Sequence, residues 1–380
     1  MKLIKDAIHD SIEVSALELQ IIDSPLVQRL RFVKQLSTAY LVYPSANHSR
    51  FEHSLGAMHL TGVLCNLLGV EQSKKEELRL AALLHDVGHA AFSHVSEPLL
   101  HRLTGHNHEE RGIKLVRESG LGELVERNGH SLSGLQPLLE GNGEGAIVTS
   151  ELGTDRMDYL LRDSHFTGVA YSIIDADRLL RTLEYKDGEL FVQERGVLAA
   201  ESLLVSRYFM FNAVYHHPTV RIAGEMAVKA LENGIEDGKT SVGEVERGGD
   251  FELLYKLSQS GSALASGVLE RKLYKSCVEV EMERALRATG AKNGEGLRKI
   301  LQEEFEAKKM DGILFCIPEK PKGERKAKVL HKDGSFSLLA DASPVVKSLE
   351  ERKPGQTLIV AAPAKEREMV KAAAEGIIGA

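Results

Sequence analysis

Residues 80–89 read LAALLHDVGH, and this stretch decides the fold. Leu80 to Leu84 is apolar on every side, which predicts a helix buried all round at the centre of a domain. That helix runs into His85-Asp86, with Gly88 placed to close it. Around it the helix period is strong from Asp23 to Glu232. Leu60, Val63, Leu64, Leu67 and Leu68 recur on one helical face, with Gly69 as a stop. Met157, Leu160 and Leu161 mark another helix, and Leu203, Leu204, Phe209 and Val214 a further one. His130–Gly145 and Glu236–Asp250 are polar and Gly-rich and read as loops, the second as a domain boundary. Beyond it come short β-like runs at Gly312–Ile317, Ala327–Leu330 and Phe336–Leu339, with Lys332-Asp333-Gly334 as a hairpin turn. Thr357–Ala361 reads as a strand, and Ala364–Glu375 as a helix stopped by Gly376. The expected fold class is mainly α: a helical domain over residues 1–235, then a smaller C-terminal helical and α+β region over 250–380.

Composition is consistent with this. The 380 residues suit one large domain or two moderate ones, and 43% hydrophobic with 27% charged residues argues against global disorder. The formal charge of −7 gives no support for a nucleic-acid-coating protein, which needs a basic face. It leaves room for a local basic pocket. Cys65, Cys277 and Cys316 are far apart and form no CxxC pair, so neither a disulfide framework nor a zinc knuckle is expected. The start, MKLIKDAIHDSIEV, lacks the apolar core of a signal peptide. The longest apolar stretch, around Ala57–Val70, is broken by His59, Thr61 and Asn66, too short and too polar to span a bilayer. The expectation is a soluble, reduced, cytoplasmic chain with no membrane partner and no stable nucleic-acid partner. Unusual are the absence of Trp and the 15 His, a residue type used both as metal ligand and as proton carrier.

Four positions make a metal-site hypothesis: His53 in RFEHS, the adjacent His85 and Asp86, and Asp155 in DRMDY. Two imidazoles and two carboxylates suit a divalent transition ion such as Mn, Fe, Ni, Zn or Co. Neighbours on a helix point roughly 100° apart, at 3.6 residues per turn. His85 and Asp86 reach one ion only where the backbone bends, as at a helix end.

These residues resemble the HD superfamily of metal-dependent phosphohydrolases. More narrowly, they resemble its deoxynucleoside triphosphate (dNTP) triphosphohydrolases, animal and prokaryotic. The likeness is carried by IIDSP at 21–25, QRLR at 28–31, Lys34-Gln35-Leu36, Tyr43-Pro44, RFEHSLG at 50–56, HDVGH at 85–89, Phe92-Ser93-His94, His108-Glu109, Asp158-Tyr159 and Arg162-Asp163. It covers roughly residues 1–220, and the tail resembles the family only loosely. The resemblance implies a helical HD-domain fold and His53, His85, Asp86 and Asp155 as ligands of one divalent ion, with Mg accompanying the nucleotide. Such an ion would polarise a phosphate oxygen and lower the pKa of its water. In that family water attacks the α-phosphorus of a dNTP, and deoxynucleoside and triphosphate separate.

The leaving 5′-oxygen needs a proton, for which His89, His94 and His108 are candidates. Glu97 matches an acidic residue that the family pairs with the histidine at the place of His108; a carboxylate there fixes the ring's tautomer. His101 and His106 read as packed or solvated side chains. Arg50, Arg156 and Arg207 match phosphate contacts. Gln35, Leu36, Tyr159 and Asp163 match sugar contacts, with Tyr159 crowding a 2′-hydroxyl. Tyr215 and His217 match positions near the base, while Phe211 stands where the animal enzyme has His. Asp23, Gln28 and Arg31 match a guanine-recognising regulatory site between subunits; their plain alternative is a helix start at Asp23-Ser24-Pro25 with solvated polar residues. The resemblance thus implies a GTP or dGTP activator and a homodimer or homotetramer. Two other readings stay open: an HD phosphohydrolase acting on GTP, a nucleoside monophosphate or a cyclic nucleotide, and a nucleotide-sensing binding protein with little turnover.

Overall fold

The apolar run at Leu80 forms the expected helix, Gln72–Leu84, with every residue from Leu80 to Leu84 buried. The structure is a computed structural model describing residues 2–171, 174–318, 326–351 and 356–379. The helix ends at His85 rather than at Gly88. Gly88 has another role: a Cβ there would lie 1.9 Å from the His108 carbonyl oxygen and 2.4 Å from the Gly112 nitrogen. Only glycine lets the turn after His85-Asp86 press against the helix His108–Glu118. The carbonyls of that turn are clamped from outside. Arg29 Nη2 donates to Val87 O at 2.8 Å and His89 O at 2.7 Å, and Arg111 Nε donates to Gly88 O at 3.2 Å.

The helix Arg50–Leu68 opens with a Ser49–Glu52 capping box and stops at Gly69, φ 66°. It packs against Gln72–Leu84 and against the helix Thr154–Thr167. A Cβ on Gly56 would sit 1.8 Å from Asp158 Oδ1, so the missing side chain sets how closely the Thr154–Thr167 helix approaches.

The chain divides into two compact units that interleave in sequence. The first holds Met1–Met210, Val242–Asp250 and Gly323–Arg352; the second holds Phe211–Ser241, Phe251–Lys322 and Lys353–Ala380. The strands run β1 Lys2–Asp6, β2 Asp10–Val14, β3 Leu183–Lys186, β4 Glu189–Gln193, β5 Lys275–Glu281, β6 Leu314–Cys316, β7 Lys328–Leu330, β8 Phe336–Leu338 and β9 Thr357–Ala362. In the first unit β1 and β2 form an antiparallel hairpin, and a second sheet has the order β3-β4-β7-β8, with β7 parallel to β4. In the second unit the sheet has the order β5-β9-β6 and packs with helices through Leu297, Leu301, Phe305, Leu358, Val360 and Val370.

Several expectations need correction. His130–Gly145 is not all loop: Ser131 caps the helix Leu132–Leu139, which buries Leu135 and Leu138. Glu236–Asp250 contains the helix Val242–Arg247, held because Val245 is buried and its carbonyl accepts the Ala91 N–H at 3.3 Å. Gly376 lies inside the helix Arg367–Ile378, and the left-handed cap is Gly379, φ 61°. The helix start at Asp23-Ser24-Pro25 is as expected, with Ser24 as the cap of the helix that Pro25 opens. The hairpins β1-β2 and β3-β4 and the strand β5 were not expected. The helical run Glu194–Tyr215 is long and apolar enough to cross a membrane by length and composition. Its first part, Val197–Met210, instead buries Ala199, Ala200, Leu203 and Leu204 in the fold.

Candidate metal centre

Three helices bring four side chains together. His53 lies in the first turn of Arg50–Leu68, His85 and Asp86 just past the end of Gln72–Leu84, and Asp155 in the first turn of Thr154–Thr167. His53 Nε2 is 3.0 Å from Asp155 Oδ1 and 3.8 Å from Asp86 Oδ2. His85 Nε2 is 3.3 Å from Asp86 Oδ1 and 3.5 Å from Asp155 Oδ1. The outer nitrogen of each ring is committed elsewhere. His85 Nδ1 donates to the Ala82 carbonyl at 2.7 Å, and His53 Nδ1 to Asp158 Oδ2 at 2.8 Å. Carbonyl and carboxylate oxygens only accept, so each ring keeps a proton on Nδ1 and offers Nε2 inward.

This donor set fits a divalent cation. Burial opposes a charge on His53, yet hydrogen bonds with Asp155 and Asp158 raise it to about 10. Burial also opposes the charges of Asp86 and Asp155. Arg50 for the first and His53 for the second outweigh it, holding both carboxyls below their usual range. A positive charge is thus already wanted at this point, and ion uptake replaces a proton there.

Arg50 supports the centre from behind. It is buried, donates through Nη1 to Asp86 Oδ2 at 2.6 Å and through Nε to Ser93 Oγ at 2.7 Å, and leaves Nη2 without a hydrogen-bond partner. Ser93 Oγ donates in turn to the Lys34 carbonyl at 3.0 Å. Phe92 and Ser93 adopt φ of 63° and 54°, a left-handed conformation that costs non-glycine residues energy. Asp250 holds this strained turn, accepting the Phe92 N–H at 2.7 Å and the Lys34 N–H at 3.0 Å.

Burial raises the Asp250 carboxyl from 3.8 to about 6, against the pull of those two N–H donors. A carboxyl raised in the folded state contributes its stability fully below its ordinary value and loses it as pH climbs through the raised one. Asp250→Asn does not ionise, so its stability relative to the native protein should rise between about pH 4 and pH 6, by roughly 2–3 kcal/mol at about 1.4 kcal/mol per pH unit. Denaturant titrations of both proteins across that range check this; a constant gap overturns it.

A second cluster adjoins the first. Glu97 accepts from His108 Nδ1 at 2.7 Å and from His94 Nδ1 at 3.2 Å. His89 stacks on His108 with centroids 4.0 Å apart, and its Nε2 is 3.4 Å from Asp86 Oδ1. His89, His94, Glu97 and His108 also group closely enough to hold an ion. The stacked rings of His89 and His108, however, aim their lone pairs along parallel planes rather than at one point. Burial, then the charges of Arg50 and His108, hold His89 well below the ordinary imidazole value.

The other expected residues are distributed as follows. Gln35 is half-buried and its Oε1 lacks a hydrogen-bond partner; the Leu36 carbonyl accepts the Ala39 N–H at 2.9 Å. Tyr159 meets His53 edge-on at 6.3 Å. Asp163 is buried and takes His48 Nε2 at 2.7 Å. Arg156 is half-buried beside Asp155, and Arg207 lies 3.9 Å from Glu151. Tyr215 and His217 belong to the second unit, where His217 Nδ1 accepts the Thr219 N–H at 3.2 Å. Gln28 and Arg31 bond to each other at 2.7 Å, Arg31 lies over the Phe51 ring, and Asp23 is exposed beyond the helix Ala16–Ile22.

Sequence reasoning gave no role to Asp6, His9, Asp158, Arg162 or Asp250. Asp158 is fully buried and accepts two bonds on each oxygen: His9 Nε2 (2.6 Å) and Arg162 Nη2 (3.0 Å) on Oδ1, His53 Nδ1 (2.8 Å) and Arg162 Nε (3.0 Å) on Oδ2. Burial works against its charge, but Arg162 and the imidazole donors hold it well below the ordinary carboxylate range.

Comparison with known proteins identifies the family. The family model described as HD domain matches residues 50–163, and that of the HD-associated region matches residues 174–380. An uncharacterized protein of Methanocaldococcus jannaschii is 39% identical over 282 residues, covering 73% of this chain and 60% of that protein. The deoxynucleoside triphosphate triphosphohydrolase SAMHD1 of Homo sapiens is 40% identical over 277 residues, 61% of this chain and 44% of that protein. The chain thus spans 44% to 60% of the length of these and similar curated relatives. A hypothetical protein from Aquifex aeolicus superposes with a TM-score of 0.79 at 32% identity, covering 98% of this chain and 99% of that one. A phosphohydrolase from Bacteroides thetaiotaomicron shares the fold, with a TM-score of 0.75 at 23% identity. The chain belongs to the HD-domain family, with an HD domain followed by its HD-associated region.

Proposed function

We propose that this chain is a metal-dependent phosphohydrolase that cleaves deoxynucleoside triphosphates to deoxynucleoside and triphosphate. One observation carries the reading: a two-His, two-Asp centre stands one imidazole away from a Glu97–His108 pair, with His89 between them. This supports the reading because cleavage at a poorly leaving 5′-oxygen requires an electrophilic site beside a proton donor. His53, His85, Asp86 and Asp155 are the residues to hold the ion, which supplies Lewis-acid polarisation of a phosphoryl oxygen.

The chain's own groups do the rest. Arg50 Nη2, buried and unpartnered, is a donor for phosphate oxygens, and Arg156 and Arg207 add charge. His108 is the preferred acid, because Glu97 orients it through Nδ1 and leaves Nε2 to give its proton to the leaving oxygen. His89 is too poor a base to hold that proton near neutral pH. Gln35 Oε1 is an acceptor for a sugar hydroxyl. The likeness to SAMHD1, named for dNTP hydrolysis, favours dNTPs over GTP, nucleoside monophosphates or cyclic nucleotides. Activation by GTP or dGTP through Asp23, Gln28 and Arg31, and assembly as a homodimer or homotetramer in the cytoplasm, belong to the same proposal.

The test is to incubate metal-loaded protein with each dNTP and NTP, with and without GTP, and resolve products by ion-exchange chromatography. Triphosphate with deoxynucleoside is the expected result. Monophosphate with pyrophosphate, or no turnover with any of the ions, would sink it.

A further inference from the structure

The metal reading leaves the N-terminal hairpin unused, yet its tip reaches the back of the site. The β1-β2 turn places His9 Nε2 2.6 Å from Asp158 Oδ1, while Asp6 accepts the Ile8 and His9 N–H groups at 2.9 Å each. Asp6 also takes Arg162 in a two-pronged pair, Nη1 at 2.9 Å and Nη2 at 3.2 Å. A carboxylate offers about four lone-pair sites, and Asp158 has all four filled: one histidine and one Arg162 nitrogen on each oxygen. The His9 side chain is 7% exposed and Asp158 0%, so water does not stand in for a missing donor.

We propose that the hairpin is part of the metal site's outer shell, with His9 a positioning residue that holds Asp158 so that it orients His53. The proposal rests on the metal reading above. The chain of contacts is His9 Nε2–H to Asp158 to His53 Nδ1–H, and it ends on the His53 Nε2 lone pair. With His9 gone, Oδ1 of a buried carboxylate has an empty acceptor site. Asp158 then rotates toward another donor, and His53 loses its tautomer and its aim together. Arg162, bridging Asp6 and Asp158, joins the turn to the same carboxylate, so hairpin and ligand are one hydrogen-bonded body.

The test uses full-length protein, stripped of metal, titrated with Co2+ and followed by its visible d–d absorption. His9→Leu fills the space without a donor; His9→Gln restores an N–H at similar reach. Lys5→Ala breaks only the exposed Lys5–Asp10 pair of the same hairpin. His9→Leu is expected to bind Co2+ roughly 10- to 100-fold more weakly, with altered band intensities. His9→Gln and Lys5→Ala should stay within about threefold of the native protein. Metal-free melting temperatures of the two His9 variants should agree within a few degrees, separating aim from folding. Native-like binding by His9→Leu, or equal weakening by Lys5→Ala or His9→Gln, overturns the proposal while the metal reading stands. Failure of the native protein to bind Co2+ or any other divalent ion overturns both.

Discussion

Asp155→Ala is expected to cost the protein its divalent ion and, with it, at least about a thousandfold of hydrolysis. Among the described residues, Asp155 is the one carboxylate within 3.5 Å of both His53 Nε2 and His85 Nε2. Removing it leaves two imidazoles with one shared anion and weakens the field that draws a cation in. The side chain is 23% exposed, so its loss opens no core cavity, and the melting temperature in chelator should change little. Elemental analysis after gel filtration, set beside triphosphate release, measures both effects. An ion content and turnover equal to the native protein's would mean that Asp155 is not a ligand.

Glu97→Gln should separate proton transfer from metal binding. The ion should remain, since Glu97 touches none of the four proposed ligands, while kcat falls by about 10²–10⁴-fold with KM little changed. The physical reason is acceptor count. Glu97 takes two Nδ1–H groups, from His108 and His94, on separate oxygens. A glutamine has one acceptor, and its amide N–H₂ faces a second donor. One ring must turn away, and the proton-giving Nε2 of His108 loses its line to the leaving oxygen. A kcat within threefold of native, with the ion bound, would remove His108 from the acid's role.

The centre was legible because it lies where two strong sequence signals meet. An all-apolar helix must be buried, and His-Asp straight after it has no solvent to face. The outer support was not legible, because its partners are remote in sequence. Asp158 looks like any helical carboxylate until His9, from the other end of the domain, is found on it. Asp250 opens the helix Asp250–Gln259 and reads as an ordinary helix start; only the fold brings it to Phe92 and Lys34. The hairpin β3-β4 did carry a signal, Asp187-Gly188 at φ 50° and 84° between the runs LEYK and ELFVQ. The hairpin β1-β2 had none of comparable strength, its turn being Ala7-Ile8-His9. In the sequence Gly88 reads as a helix stop, the commoner use of glycine, whereas its neighbour across the gap, His108, is visible only in three dimensions.

The interleaving of the two units bears on how the protein is made. The first unit cannot finish its sheet until β7 and β8 have left the ribosome, and it cannot brace Phe92 until Asp250 has. Synthesis at about 5–20 residues per second therefore leaves β4 with an unpaired edge while the intervening residues emerge. A nascent chain arrested between β4 and β7 presents the four candidate ligands on a scaffold still open along that edge. The candidate metal centre is encoded early and secured late: its four side chains have all emerged by Asp155, whereas Asp250, β7 and β8 follow well behind them.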